Sequence, residues 1–311
     1  MLGDSVAEFS SCFYLSLRYF LDRKNIDNKT GRLRPPYKIT PTLLRIVSPI
    51  AGGRYLNSFL RTVENIIVPM CLVSSGLTNE NALSAFGMIK GMALPLLLFP
   101  AGLLSSVTSL LVPEMSEAAA AGKGARIRYA AERSITLTFI AAIPFTVGFY
   151  LTAEPLTMLI YSEPSAGMTV RLLAPLVPLM YIDSVADALL KSLDEQLVTF
   201  RHSLFDSVGR IAAILLVLPR FGFIGFIAVM YASNLFTALL NLIKLIKVSK
   251  AKISLLKCVF LPVAAALTGG LIADTLLGIA HASGLVYIIL VFAGISILYV
   301  PLLPTFIGRK N

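Results

Sequence analysis

Apolar runs long enough to bury a whole helix in lipid recur from one end of this 311-residue chain to the other. A helix needs about 20 consecutive apolar residues to cross the hydrocarbon layer of a bilayer. Soluble domains carry about 25% charged residues; here 14% are charged and 56% hydrophobic, with a mean hydropathy of +0.80. A large soluble core does not explain that deficit. The chain reads as an all-α polytopic membrane protein.

Nine spans are expected, at about 2–20, 43–73, 82–112, 128–160, 166–190, 200–218, 222–246, 254–275 and 284–304. Two exceed what a bilayer needs, which calls for tilt, kinks or ends reaching into water. The basic residues order the loops. Nineteen of the 27 Lys and Arg fall on one side, in 21–42 (Arg23, Lys24, Lys29, Arg32, Arg34, Lys38), after the third span (Lys123, Arg126, Arg128, Arg133), at Lys191 and Arg201, in 244–257 and at Arg309 and Lys310. The alternate loops carry Arg220 alone. Cytoplasmic loops collect Lys and Arg, so the C-terminus is expected in the cytoplasm and the start of the chain outside. A chain that starts outside with an acidic first helix, Asp4 and Glu8, and no basic region before it, is expected to continue a longer protein.

The net charge of +10 is accounted for by these loops, and no nucleic-acid motif accompanies it. Cys12, Cys71 and Cys258 lie in apolar segments without CxxC spacing, so they are expected to be small buried hydrophobes rather than metal ligands or disulfides. No nucleophile motif, metal-ligand cluster or Gly-rich phosphate loop appears, and an enzyme is not expected. Prolines and glycines stand inside the spans, among them Pro49, Gly52, Gly53, Pro95, Pro100, Pro144, Pro175 and Pro178. Such residues kink membrane helices, and neighbours must satisfy the carbonyls they free.

Ionisable residues at membrane depth are the most informative, because each costs about 2.5–3.5 kcal/mol on insertion scales. In the second span Arg54, Asn57, Arg61, Glu64 and Asn65 share one helical face. Two readings follow: an internal Arg61–Glu64 pair, or a cationic wall suited to phosphate, whose oxygens match guanidinium forks. Lys90, in the third span, either snorkels or joins that wall. Asp183 and Asp187 lie four apart, with Lys191 four further on; they form either a helix pair or an acidic site for a proton or Na⁺. His202, Asp206 and Arg210 repeat at the same spacing, so that Asp206 is either an ion-pair partner of Arg210 or an ion-coupling acid. Asn234 and Asn241 are expected to hydrogen-bond between helices, and Arg171 to sit at the outer interface.

Three segments carry a family resemblance. LLSSVTSLLVPEMSEAAAAGKGARI resembles the eighth helix and following cytoplasmic loop of the multidrug/oligosaccharidyl-lipid/polysaccharide exporter superfamily. LAPLVPLMYIDSVADALLKSLDEQ is similar to its tenth helix, and LVLPRFGFIGFIAVMYASNLFTALLNLIKL to the turn that joins two later helices. Within the superfamily the chain resembles the stage V sporulation protein B group of polysaccharide biosynthesis proteins, related to MurJ-type lipid II flippases, over roughly residues 41–247. The resemblance implies two six-helix lobes, of which this chain would hold 1–20 as the last helix of a missing N-lobe, 21–42 as a basic cytoplasmic loop, 43–247 as a six-helix C-lobe, and 248–311 as two extra helices and a tail.

It also implies alternating access by rocking of the lobes, with no cofactor beyond a coupling Na⁺ or H⁺. The partners would be a lipid-linked oligosaccharide and membrane lipids, not nucleic acid. The pyrophosphate-sugar head of an undecaprenyl-linked precursor would meet Arg54, Asn57, Arg61 and Lys90. Asp206 and Glu64 would sit near a coupling-ion site, with Asp183 and Asp187 as further candidate acids. The family pattern carries an Asn one turn before Asp206, where this chain has His202. A cation-coupled multidrug exporter of the same fold is the alternative; it would need Asp183 and Asp187 facing the cavity and the arginines turned away. A non-transporting scaffold for wall or spore-cortex synthesis is another. A membrane glycosyltransferase is disfavoured, for want of a catalytic loop motif.

Overall fold

The computed structural model describes residues 2–27, 39–279 and 284–304, with side chains at 6–21, 52–106, 108–277 and 284–304. Among these residues every regular element is helical. Lys29, Arg32, Arg34, Lys38, Arg309 and Lys310 lie outside the described residues, and so do the side chains of Arg23, Lys24, Arg45 and Pro49.

The chain divides into two units, Met1–Arg54 and Tyr55–Asn311. The first holds helix α1, Leu2–Asp27, and the start of α2, Ile39–Ser74, which runs through the boundary. The described side chains of α1 are all exposed, Cys12 included. The expectation that all three cysteines are buried is therefore corrected: only Cys71 and Cys258 are.

The second unit continues with α3 (Asn79–Leu98), α4 (Ala101–Ala120), α5 (Gly124–Leu151), α6 (Ala153–Tyr161), α7 (Ser165–Ser192), α8 (Gln196–Ser249), α9 (Leu256–Leu277) and α10 (Gly284–Leu302). Seven helices among the described residues are long and apolar enough to cross a membrane. The longest, α8, has 54 residues. A straight helix of that length would run to about 80 Å, well over twice the hydrocarbon thickness of about 30 Å. It is not straight. Gly222, with φ 54° and ψ −134°, breaks it in a conformation that side chains with a Cβ rarely adopt. Its two arms, before and after Gly222, are the expected sixth and seventh spans.

Two expected spans are subdivided. The span expected at 82–112 breaks at Phe99–Pro100 and then runs on to Ala120 as α4. The span at 128–160 ends as α5 at Leu151 and restarts as the short α6. Pro155 lacks the N–H that a continuous helix would offer to the Leu151 carbonyl.

Helical irregularities free backbone carbonyls, and tyrosines from other helices take them. Pro144 in α5 cannot donate to Ile140, and Tyr299 of α10 donates its hydroxyl there at 2.8 Å. At the α3–α4 break Tyr181 of α7 reaches the Leu97 carbonyl at 2.7 Å. A π-helical stretch in α3, Met88–Ala93, has its Met92 carbonyl met by Tyr161 of α6 at 3.1 Å. A 3₁₀ stretch in α7, Ala174–Leu176, has the Leu172 carbonyl just before it met by Tyr231 of α8 at 2.7 Å. Lipid offers no water to do this work, and neighbouring helices must.

The main core packs Leu72 of α2, Ile89 and Leu97 of α3, Leu173 and Tyr181 of α7 and Phe226 of α8. The last two helices form a pair against α5. Their backbones approach closely: a Cβ on Gly269 would lie 3.1 Å from the Gly294 carbonyl, and one on Gly294 would meet the Ala273 Cβ at 2.5 Å. Small residues of this kind let membrane helices pack backbone to backbone.

Candidate functional site

Glu64 is the pivot of the polar interior. It is 4% exposed, on α2. Its Oε1 lies 3.5 Å from Lys90 Nζ and its Oε2 lies 3.2 Å from Arg210 Nη2. The same Nη2 stands 3.7 Å from Asp206 Oδ2, one turn back on α8. Ser233, on the second arm of α8, donates to Asp206 Oδ1 at 2.6 Å. Two buried carboxylates and two cations thus form one network joining α2, α3 and both arms of α8. Lys90 sits in the π-helical stretch of α3; wide turns of this kind recur at functional sites.

Of the two readings of the α2 face, the Arg61–Glu64 pair does not form. Glu64 turns inward to cations from other helices, while Arg61 and Asn65 are exposed and Arg61 has no ion pair among the described residues. Asn57 is half-buried and accepts from Ser203 Oγ at 3.4 Å. Arg54, in the first unit, is exposed. Lys90 keeps part of its side chain in the open while reaching Glu64. The Asp206–Arg210 pair is present, but Arg210 is shared with Glu64.

A second polar chain lies beside the first. Asn241 on the second arm of α8 donates from Nδ2 to Asp183 Oδ1 of α7 at 2.8 Å. Its Oδ1 lies 2.8 Å from His202 Nδ1 on the first arm. Asp187, four residues from Asp183, pairs instead with Lys191 on its own helix. The two acids expected as one site therefore have separate partners. Asn241 bridges helices as expected, whereas Asn234 donates to the Met230 carbonyl of its own helix at 2.8 Å. Arg171 lies 3.5 Å from Glu154 and donates to the Tyr150 carbonyl at 3.3 Å.

Two cavities adjoin these groups. One of about 490 Å³ lies between the arms of α8, with Asp206, Arg210 and Ser233 at its polar end and Phe205 and Phe236 on its apolar wall. Another of about 380 Å³ lies between α4 and α7, with Ser105, Thr108, Ser109, Tyr181 and Ser184 among otherwise apolar lining residues such as Leu104 and Val185. These hydroxyl-bearing residues were missed in the sequence; a spacing of Ser105, Thr108 and Ser109 on one helical face was the available signal.

Kinked spans around a charged interior define a multi-pass helical membrane protein. The chain is similar to stage V sporulation protein B of Bacillus subtilis (strain 168), 24% identical over 223 residues, which is 71% of this chain and 43% of that protein. It is also similar to sporulation protein YkvU of the same organism, 25% identical over 162 residues, 52% of this chain and 36% of that one. No family model matches. Among solved structures, the lipid II flippase MurJ in its inward closed conformation matches 89% of this chain and 56% of the flippase, with a TM-score of 0.61 and 16% identity. That likeness is one of fold. The relatives are those the three sequence segments point to, and the chain spans less than half the length of the curated relatives it matches.

Proposed function

We propose that this chain is part of a flippase that carries an undecaprenyl-pyrophosphate-linked cell-wall precursor across the bacterial inner membrane by alternating access, with its C-terminus in the cytoplasm. The observation that carries this reading is the division of charge on α2. Its acid, Glu64, is buried against Lys90 and Arg210, while Arg61 is exposed without an ion pair among the described residues. What the helix leaves outside is cationic, and guanidinium suits a diphosphate. A drug exporter of the same fold would show the reverse, yet Asp183 and Asp187 are engaged by Asn241 and Lys191. The two sporulation relatives and the flippase fold support the same reading, and the share of those relatives that is covered leaves room for an N-lobe as partner. Nineteen basic residues in alternate loops support the orientation.

The test is translocation of fluorescent lipid II in proteoliposomes, using the full-length protein that contains this chain. Arg54→Ala with Arg61→Ala is expected to lower the rate at least tenfold, since each charge-assisted contact to phosphate contributes about 1.5–3 kcal/mol. An unchanged rate would remove the cationic face from the mechanism and favour the scaffold.

A further inference from the structure

We infer that His202 is a proton-binding site, held in one tautomer by Asp183 through Asn241. As the coupling step of transport it rests on the flippase reading; as a proton site it stands on the geometry alone. Of the four acids Glu64, Asp183, Asp187 and Asp206, the first and last share Arg210, Glu64 also meets Lys90, and Asp187 meets Lys191. A sodium ion at any of those three would have to compete with a cation already paired there. Asp183 differs from them in being held by an uncharged group, the Asn241 amide.

The chemistry of the chain then runs in one direction. An ionised carboxylate only accepts hydrogen bonds, so the amide must present its NH₂ to Asp183. That turns the Asn241 carbonyl oxygen to His202 Nδ1, which must donate. Neutral imidazole carries one hydrogen, so with Nδ1 protonated the lone pair stands on Nε2. A hydronium ion delivers its proton to Nε2 and leaves as water, and the resulting imidazolium still donates through Nδ1 to Asn241. One proton is taken up and no bond within the chain is broken.

Several charged groups near this chain are committed elsewhere, while Arg201 beside His202 and Arg61 of α2 are exposed without an ion pair among the described residues. Asp187 and Lys191 on α7 pair with each other, and Asp206 and Arg210 on the first arm of α8 belong to the Glu64 network. Lys244, on the second arm, pairs with Glu195 at 2.8 Å. His202, Asn241 and Asp183 come from three different helical segments, so any rocking of α7 against α8 makes or breaks the relay. Proton affinity at Nε2 would then differ between the two states, which is the requirement for coupling.

Two histidines in the whole chain, His202 and His281, make the test direct. The full-length protein is labelled with ¹⁵N-histidine and placed in nanodiscs, with His281→Gln assigning one signal. Should the complete protein bring further histidines, His202→Gln identifies the signal of interest. His202 is expected in the Nδ1–H form at high pH. Asp183→Asn and Asn241→Leu should each release it toward Nε2–H and move its titration. A wild-type signal in the Nε2–H form, or a titration that neither variant moves, overturns the inference.

Transport separates the two readings. Fluorescent lipid II translocation that accelerates under an imposed pH gradient, and loses that response in Asn241→Leu, supports coupling. Translocation indifferent to the gradient in the wild type overturns coupling and leaves the flippase standing. Histidine spectra as expected with no lipid movement at all would overturn the flippase reading and leave the proton site.

Discussion

Two regions of the second unit are held together by opposite means. The network of Glu64, Lys90, Arg210 and Asp206 joins α2, α3 and α8 through charge at contacts of 3.2 to 3.7 Å. Charge-assisted hydrogen bonds of good geometry are about 2.7–2.9 Å, and Arg210 Nε is buried without a hydrogen-bond partner among the described residues. The α9–α10 pair is joined by backbone approach at Gly269 and Gly294 and docked on α5 by the Tyr299 hydroxyl. The first is a loose set of strong groups, each with more than one acceptable partner. The second is a tight set of weak contacts with one arrangement. Discrete rearrangement belongs to the first kind, because cations can change partners without being exposed to lipid. The second kind moves as a body.

The largest effect should come from breaking the charged region. Glu64→Ala leaves Lys90 and Arg210 with Asp206 as the only acid of the network. Removing one partner of a buried ion pair destabilises by about 3–5 kcal/mol, which denaturant unfolding in detergent micelles would register. A loss below about 1 kcal/mol would mean that the network is already wet and that charge does not hold this region together.

An intermediate effect is expected in the packed pair. Gly294→Val forces side-chain atoms into occupied space, since even a Cβ at this position would stand 2.5 Å from the Ala273 Cβ. Overpacking of this kind costs about 1–3 kcal/mol. Crosslinking between cysteines placed on α9 and α10 should fall as the helices separate. Gly91→Ala, at a position with open space around it, should leave that crosslinking unchanged.

The smallest effect tests what docks the packed pair. Tyr299→Phe removes one donor from the Ile140 carbonyl beside Pro144. Interhelical hydrogen bonds in membrane proteins average about 0.6 kcal/mol, so a midpoint shift near the limit of detection is expected. A loss as large as that of Glu64→Ala would show that the cap, not the glycine packing, holds α10 to α5.

The sequence located most of the long apolar helices and the turn within α8, but not the breaks that subdivide two expected spans. Hydropathy alone marks where lipid-spanning helices run, and PRFG locates the turn between the arms of α8 because Gly222 needs a positive φ. The i,i+4 spacing of Asp206 and Arg210 also made their contact readable, since helical geometry sets it. Prolines announced that carbonyls would be freed, but not which residue would meet them. No spacing in the sequence singles out Tyr161, Tyr181, Tyr231 and Tyr299, and only packing brought each to its carbonyl. The fate of Glu64 was settled in the same way. Along α2 its nearest cation is Arg61, three residues away, yet its partners come from α3 and α8. Local spacing reports what one helix offers; desolvation in the assembled bundle decides which offer is taken, because a buried carboxylate is stable only where several helices bring it cations at once.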